Sequence, residues 1–119
     1  MEAIASMITP GGVLADVGTD HGYIPIYQVQ LHRNPYAVAM DLRKGPLERA
    51  SEHIRQSGLT GQIKTRLSDG VAALEPGEAD SIVVAGMGGE LILHILSEGE
   101  AVCRQAKELI LQPQSEIAA

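Results

Sequence analysis

The sequence predicts an α/β domain built on a mostly parallel sheet. Three observations carry this. Apolar runs of strand length alternate with amphipathic, helix-like stretches. The intervals between them suit right-handed strand–helix–strand crossovers. The first apolar run, Val13 to Val17, ends in the turn Gly18-Thr19-Asp20-His21-Gly22, and Pro25 then stands where a helix can begin. Strand, glycine turn and helix form the opening of a nucleotide-binding domain. With 119 residues, the chain is read as one domain over 1–119.

Taken in order, Ala3 to Ile8 reads as the last turns of a helix, ended by Thr9-Pro10-Gly11-Gly12. Strand one is Val13 to Val17. The next helix opens at Pro25 and reaches about Arg33, where Asn34-Pro35 breaks it. Strand two is Tyr36 to Leu42. Gly45-Pro46 then starts a helix with Leu47, Ala50 and Ile54 on one face, stopped by Gly58. Strand three, about Gln62 to Leu67, leads into Ser68-Asp69-Gly70. A short helix over Val71 to Leu74 and the turn Pro76-Gly77-Glu78 precede strand four, Ser81 to Ala85. Gly86-Met87-Gly88-Gly89 follows as a loop, then a helix over Glu90 to Leu96 closed by Gly99. A helical piece over Ala101 to Lys107 leads to strand five, Leu109 to Leu111, which reaches Gln112-Pro113.

Composition narrows the function classes. Hydrophobic residues make up 45% and charged residues 20%, ordinary for a globular protein. Three Tyr with no Phe or Trp make the core aliphatic. No apolar run approaches the roughly 18 to 20 residues that span a bilayer. An acidic second residue and the lack of a basic region argue against a signal peptide. The single Cys103 excludes an internal disulfide, fits a reducing cytoplasm and reads as a small core residue. His32, His53 and His94 fall on expected helices without a second ligand at metal spacing, so no metal site is expected. The net charge is −6, nine basic residues against fifteen acidic. A nucleic-acid partner would therefore be held by one local patch or by other means.

The chemistry concentrates at strand ends. The first turn is G-T-D-H-G, which departs from G-x-G-x-x-G by carrying a carboxylate that would repel a pyrophosphate. This disfavours a dinucleotide-binding dehydrogenase. It suits a cofactor with a positive centre and no phosphates, such as S-adenosylmethionine. Asp41 ends strand two, where an acidic side chain holds ribose hydroxyls. Asp69 closes strand three and can accept from an adenine amino group, with Gly70 leaving room for the ring. Each of these carboxylates alone reads more readily as a turn or helix cap. Together they line one crevice at the carboxyl edge of the sheet.

Three segments then carry a resemblance: A-D-V-G-T-D-H-G-Y-I-P at Ala15 to Pro25, A-G-M-G-G at Ala85 to Gly89, and L-I-L-Q-P at Leu109 to Pro113. On these the chain resembles the bacterial tRNA adenine-22 N1-methyltransferases (TrmK-like), over the catalytic part only. The resemblance implies a Rossmann-like class I S-adenosylmethionine-dependent methyltransferase fold. It further implies a C-terminally truncated copy, without the family's C-terminal helical coiled-coil domain. The implied reaction moves a methyl group from S-adenosylmethionine to N1 of an adenine in tRNA. Adenine N1 has a free lone pair, so attack needs no prior deprotonation, and the site must supply in-line placement and negative potential.

The expected catalytic residues are Asp20, His21 and Tyr23. The expected cofactor residues are Asp16, Gly18, Asp41, Leu42, Asp69, Gly70, Gly86 and Met87. Tyr23, Pro25, Gly88, Gly89 and Gln112 are expected to meet the substrate. An Asn/Asp-Pro-Pro-aromatic motif, carried by many amino-methylating enzymes, is absent at Gly86 to Gly89, which argues against an exocyclic N6 target. A second reading remains: a truncated or degenerate module that binds S-adenosylmethionine without turnover.

Overall fold

The computed structural model describes residues 7–19, 22–87 and 89–113. Within them the strands are β1 (Val13–Val17), β2 (Tyr36–Asp41), β3 (Ile63–Leu67), β4 (Ser81–Met87) and β5 (Glu108–Pro113). The helices are α1 (Tyr23–Gln30), α2 (Lys44–Gln56), α3 (Gly89–Glu98) and α4 (Glu100–Gln105). The strands form one sheet in the order β3-β2-β1-β4-β5, every neighbouring pair parallel. β1 is central, with Leu14 opposite Ala37 of β2 and Ser81 of β4.

A parallel sheet covered on both faces needs apolar side chains on both sides of its inner strands. The side-chain period of two then deals residues into two cores. On one face Leu14, Ala37, Ala39 and Val83 pack with Val29 of α1 and Ile54 of α2. On the other, Ala15, Val17, Met40, Ile82 and Val84 pack with Ile92 and Ile95 of α3, and with Val71 and Leu74. The amino-terminal edge is clasped by carboxylates. Asp80 accepts the Val13 N–H at 2.8 Å, and Glu108 accepts the hydroxyls of Thr9 and Ser81 at 2.9 and 2.8 Å.

Three expectations need correction. The helix expected from Pro25 to about Arg33 begins two residues earlier and ends at Gln30. Gly22, in the left-handed region at φ 71°, swings the chain into it, and Pro25 stays within the first turn, where its missing N–H costs nothing. His32 at φ 59° then ends the helix, and the Arg33 and Asn34 N–H groups both turn back to Gln28 O.

The short helix expected over Val71 to Leu74 is a run of turns. Ala72 N bonds Asp69 O and Leu74 N bonds Val71 O, while the Ser68 hydroxyl takes the Ala73 N–H. Strand four extends to Met87 because β5 continues beside it, pairing Ala85 with Gln112 and Met87 with Pro113 across an irregularity. Gly86 and Met87 therefore belong to β4 and Gly89 to α3, and Gly88 lies outside the described residues. The helix expected over Ala3 to Ile8 lies mostly outside them as well.

Candidate functional site

β1 and β4 are neighbours whose onward connections diverge. β1 leads through α1 to β2 on one side, and β4 leads through α3 and α4 to β5 on the other. Such a switch point opens a crevice at the carboxyl ends of the strands. A groove of about 160 Å³ lies there, formed by Val17 and Gly18 at the end of β1, Asp41 to Arg43 at the end of β2, Ser68 to Gly70 after β3, and Leu91 and Ile95 of α3. A larger recess of about 880 Å³ opens by Pro10–Gly11 and Arg33–Tyr36. It lies at the amino-terminal edge and has no carboxylate in its lining, so we place the site in the smaller groove.

The backbone builds the groove floor. Gly18, at φ 81°, lets its own N–H and that of Thr19 both donate to Met40 O at 2.8 Å. Ser68 N donates to Asp41 O at 3.0 Å, which ties the loop after β3 to the end of β2. Gly70 sits at φ 61°, and a Cβ there would lie 2.9 Å from Ile95 Cγ1. A side chain at 70 would thus push α3 off the groove. Asp41 is buried, and its Oδ1 accepts from Arg43 N at 2.9 Å and Arg43 Nε at 3.2 Å. Asp69 is exposed at the rim, and Leu42 and Leu91 stand 63% and 47% exposed over the same groove.

Asp16 lies below this surface rather than on it. It is 4% exposed and sits in register between Ala39 and Val83, both fully buried. Taking a carboxylate out of water disfavours its charged form. Burial therefore raises the Asp16 pKa from 3.8 to about 7. Thr19 opposes the rise and the negative charge of Asp41, a diagonal neighbour on the same face, adds to it. Burial outweighs the opposing effect of Thr19, whose hydroxyl has no hydrogen-bond partner of ordinary geometry among the described residues.

Asp20 and His21 lie outside the described residues. Tyr23 opens α1 and is 51% exposed, its ring stacked on His53 of α2 at a centroid distance of 5.5 Å and 21° between planes. Pro25 is fully buried in the first turn of α1, so the expectation that it meets substrate is corrected: its ring packs inward. Gly86, Met87 and Gln112 lie along the paired ends of β4 and β5, with Gly89 exposed at the start of α3.

Of the expected cofactor residues, Gly18, Asp41, Leu42, Asp69 and Gly70 share one groove. Arg43, Ser68, Leu91 and Ile95 line it too and escaped the sequence reading. The i,i+4 spacing of Leu91 and Ile95 marks one face of α3, but an apolar face reads simply as core. No group of three or more His, Cys, Asp or Glu among the described residues could hold a metal ion, and no helix there is long and apolar enough to cross a membrane.

Comparison with known proteins places this chain among methyltransferases. The family described as "Methyltransferase domain" matches residues 1–119. The tRNA (adenine(22)-N(1))-methyltransferase of Bacillus subtilis (strain 168) is 42% identical over 113 residues, covering 95% of this chain and 48% of that protein. Among solved structures, Streptococcus pneumoniae Sp1610 in complex with S-adenosyl-L-methionine superposes with a TM-score of 0.90 at 40% identity, covering 94% of this chain and 53% of that one. M. capricolum TrmK in complex with S-adenosyl-homocysteine gives a TM-score of 0.75 at 37% identity, over 81% of this chain and 44% of that one. The chain spans about half the length of the relatives it matches.

Proposed function

This chain belongs to the methyltransferase-domain family, and on that premise we propose that it is the cofactor-binding and catalytic part of a cytoplasmic tRNA adenine N1-methyltransferase. The substrate is adenine 22 of tRNA, as the name of the Bacillus subtilis relative indicates. What supports the reading is one observation above the rest: Gly18, Asp41, Leu42, Asp69 and Gly70, from three successive strand ends, share a groove at the switch point of the sheet.

The donor set suits S-adenosylmethionine. With Oδ1 of Asp41 held by Arg43, Oδ2 remains for a ribose hydroxyl. Asp69 accepts from the adenine amino group. Leu42, Leu91 and Ile95 supply apolar contact for a ring, in a groove whose width depends on Gly70 having no Cβ. When bound, the cofactor supplies an electrophilic methyl group on a sulfonium. Asp16, beneath the floor, sets a negative potential under that positive centre once it is ionised.

The remaining residues handle the acceptor. Adenine N1 attacks with its own lone pair, so the protein removes no proton from it. Positive charge develops on the ring, and a carboxylate at Asp20 that accepts from N6 stabilises it. His21 is the second candidate of that turn, and Tyr23 offers a face to the base. Gly86 to Gly89, with Gln112 on the adjacent strand, lets the base come close to the backbone. The adenine leaves its stacked position to reach them.

The test is methyl incorporation from labelled S-adenosylmethionine into unmodified tRNA, followed by nucleoside analysis. N1-methyladenosine is the expected product. Cofactor binding without product would favour the non-catalytic module, and tight NAD binding with none to S-adenosylmethionine would remove both readings. Asp20→Ala should lower turnover by about 10²- to 10³-fold, as for loss of one electrostatic stabiliser, and lower cofactor affinity far less.

A further inference from the structure

Asp69 stands exposed at the rim of the groove, and no hydrogen bond from the described residues reaches its carboxylate. A side chain without a partner is only as well aimed as the peptide that carries it. That peptide belongs to the turn-rich connection between β3 and β4, and one arginine of β3 ties the connection down.

Arg66 and Ser68, two residues apart, take both polar groups of Ala73. Arg66 Nη1 donates to Ala73 O at 2.9 Å, and Ser68 Oγ accepts the Ala73 N–H at 3.1 Å. The Ser68 hydroxyl also donates to Gly70 O at 2.8 Å, which closes the turn around Asp69. The Arg66 guanidinium further forms a two-bond fork on Glu78, Nη1 to Oε1 and Nη2 to Oε2, each at 2.9 Å. Glu78 Oε1 in turn accepts the Glu75 N–H at 3.0 Å. The two side chains are only 28% and 30% exposed, so water weakens this fork less than it does a pair on the open surface. The Arg66 hydrogen bond holds the Glu78 carboxyl below the ordinary glutamate range, which keeps the pair charged. Burial of Val71 and Leu74 sets the depth of the connection, and the hub at Arg66 sets its path.

From this geometry we propose that Arg66, with Glu78, is a positioning residue for cofactor recognition: it fixes the Ser68–Ala73 turn so that Asp69 faces the adenine amino group and the site prefers an aminopurine base. The inference rests on the S-adenosylmethionine reading of the groove, and adds to it a residue outside the groove lining. A tie that only stabilised the fold would weaken every ligand of the groove alike. A positioning tie weakens only ligands that carry the amino group, because a hydrogen bond fails steeply with lost alignment.

The test is calorimetric binding of S-adenosyl-homocysteine and of its analogue with purine as the base, which lacks only the 6-amino group. Urea unfolding of each variant checks that it is folded. Wild type should prefer S-adenosyl-homocysteine by about tenfold or more, as for one hydrogen bond to a charged group. Asp69→Ala should abolish the preference. Arg66→Met should cut it to about twofold or less while binding the purine analogue as wild type does. Adding Asp69→Ala to Arg66→Met should cost nothing further, since both remove the same bond. Arg66→Lys, which keeps the charge but not the fork, should recover part of the preference. Glu78→Gln, which keeps the shape of the pair, gives the same comparison should Arg66→Met fail to fold. A preference that survives in the folded Arg66 and Glu78 variants and falls only in Asp69→Ala overturns the positioning role and leaves the cofactor reading standing. Equal loss of both ligands makes Arg66 a structural residue. Wild type that binds S-adenosyl-homocysteine without preference removes the role of Asp69, and wild type that does not bind it removes the cofactor reading; either result takes the proposal with it.

Discussion

Replacing Asp16 with Asn tests how far the sheet controls the chemistry at its carboxyl edge. The folded-state pKa is about 7 against 3.8 for an ordinary Asp, with burial as the main cause. The folded protein then binds a proton that the unfolded chain has released between those two values. Stability from this group is full below about pH 4 and falls as pH rises toward 7, opposite to the usual case of a salt-bridged carboxylate. At about 1.36 kcal/mol per pH unit, the accumulated cost of the charge is about 4 kcal/mol above pH 7. Asn has nearly the same shape and never ionises. Any fixed cost of its amide is the same at every pH. The stability difference between Asp16→Asn and wild type should therefore shift in favour of the variant by about 4 kcal/mol between pH 4 and pH 8. Urea unfolding followed by far-ultraviolet circular dichroism, since the chain lacks Trp, measures this directly. A difference that stays flat across the range would show that Asp16 ionises as an ordinary surface carboxylate.

The same group couples to ligand binding. If the cofactor binds in the proposed groove, its sulfonium favours the ionised form of Asp16, so S-adenosylmethionine binding near pH 6 should release a proton in wild type and none in Asp16→Asn. Calorimetry in buffers of different ionisation enthalpy would reveal it as a buffer-dependent heat. Gly99→Ala should destabilise by about 1–3 kcal/mol in chemical denaturation, because its Cβ would stand 2.1 Å from Val71 Cγ2 and 3.2 Å from Ile95 O. Gly70→Ala should weaken S-adenosylmethionine binding about tenfold or more, with a stability loss of about 1–2 kcal/mol for a left-handed Ala, as the added carbon displaces Ile95 from the groove.

Much of this was legible in the chain. Each apolar run became a strand, and alternation with helices anticipated a parallel sheet, because period-two and period-3.6 burial leave distinct marks. The placement of residues 41 and 69 on one groove was legible from position alone, since residues at or just beyond the end of a strand of such a sheet face its carboxyl edge. The errors fell where local signals compete with contacts from elsewhere. Val71 to Leu74 has helical composition, but both residues are anchored in the core and Ser68 captures the Ala73 N–H. Gly86 and Met87 looked like a loop until β5 extended β4 through them. Pro25 looked like a boundary residue and proved to be packing.

What the sequence determined by itself, then, is the succession of elements and the acidic, glycine-bearing turn after Val17. Those depend on residue types close together in the chain. The tertiary structure alone decided which ends meet. The order β3-β2-β1-β4-β5 gathers Gly18, Asp41 and Asp69 into one groove. It holds Asp16 between Ala39 and Val83, where an ordinary aspartate becomes a group that titrates near neutrality. It also seats Gly22 on Ala50, so that Tyr23 meets His53 thirty residues away. Burial and proximity are properties of the packed sheet, and neither is written in the neighbours a residue has along the chain.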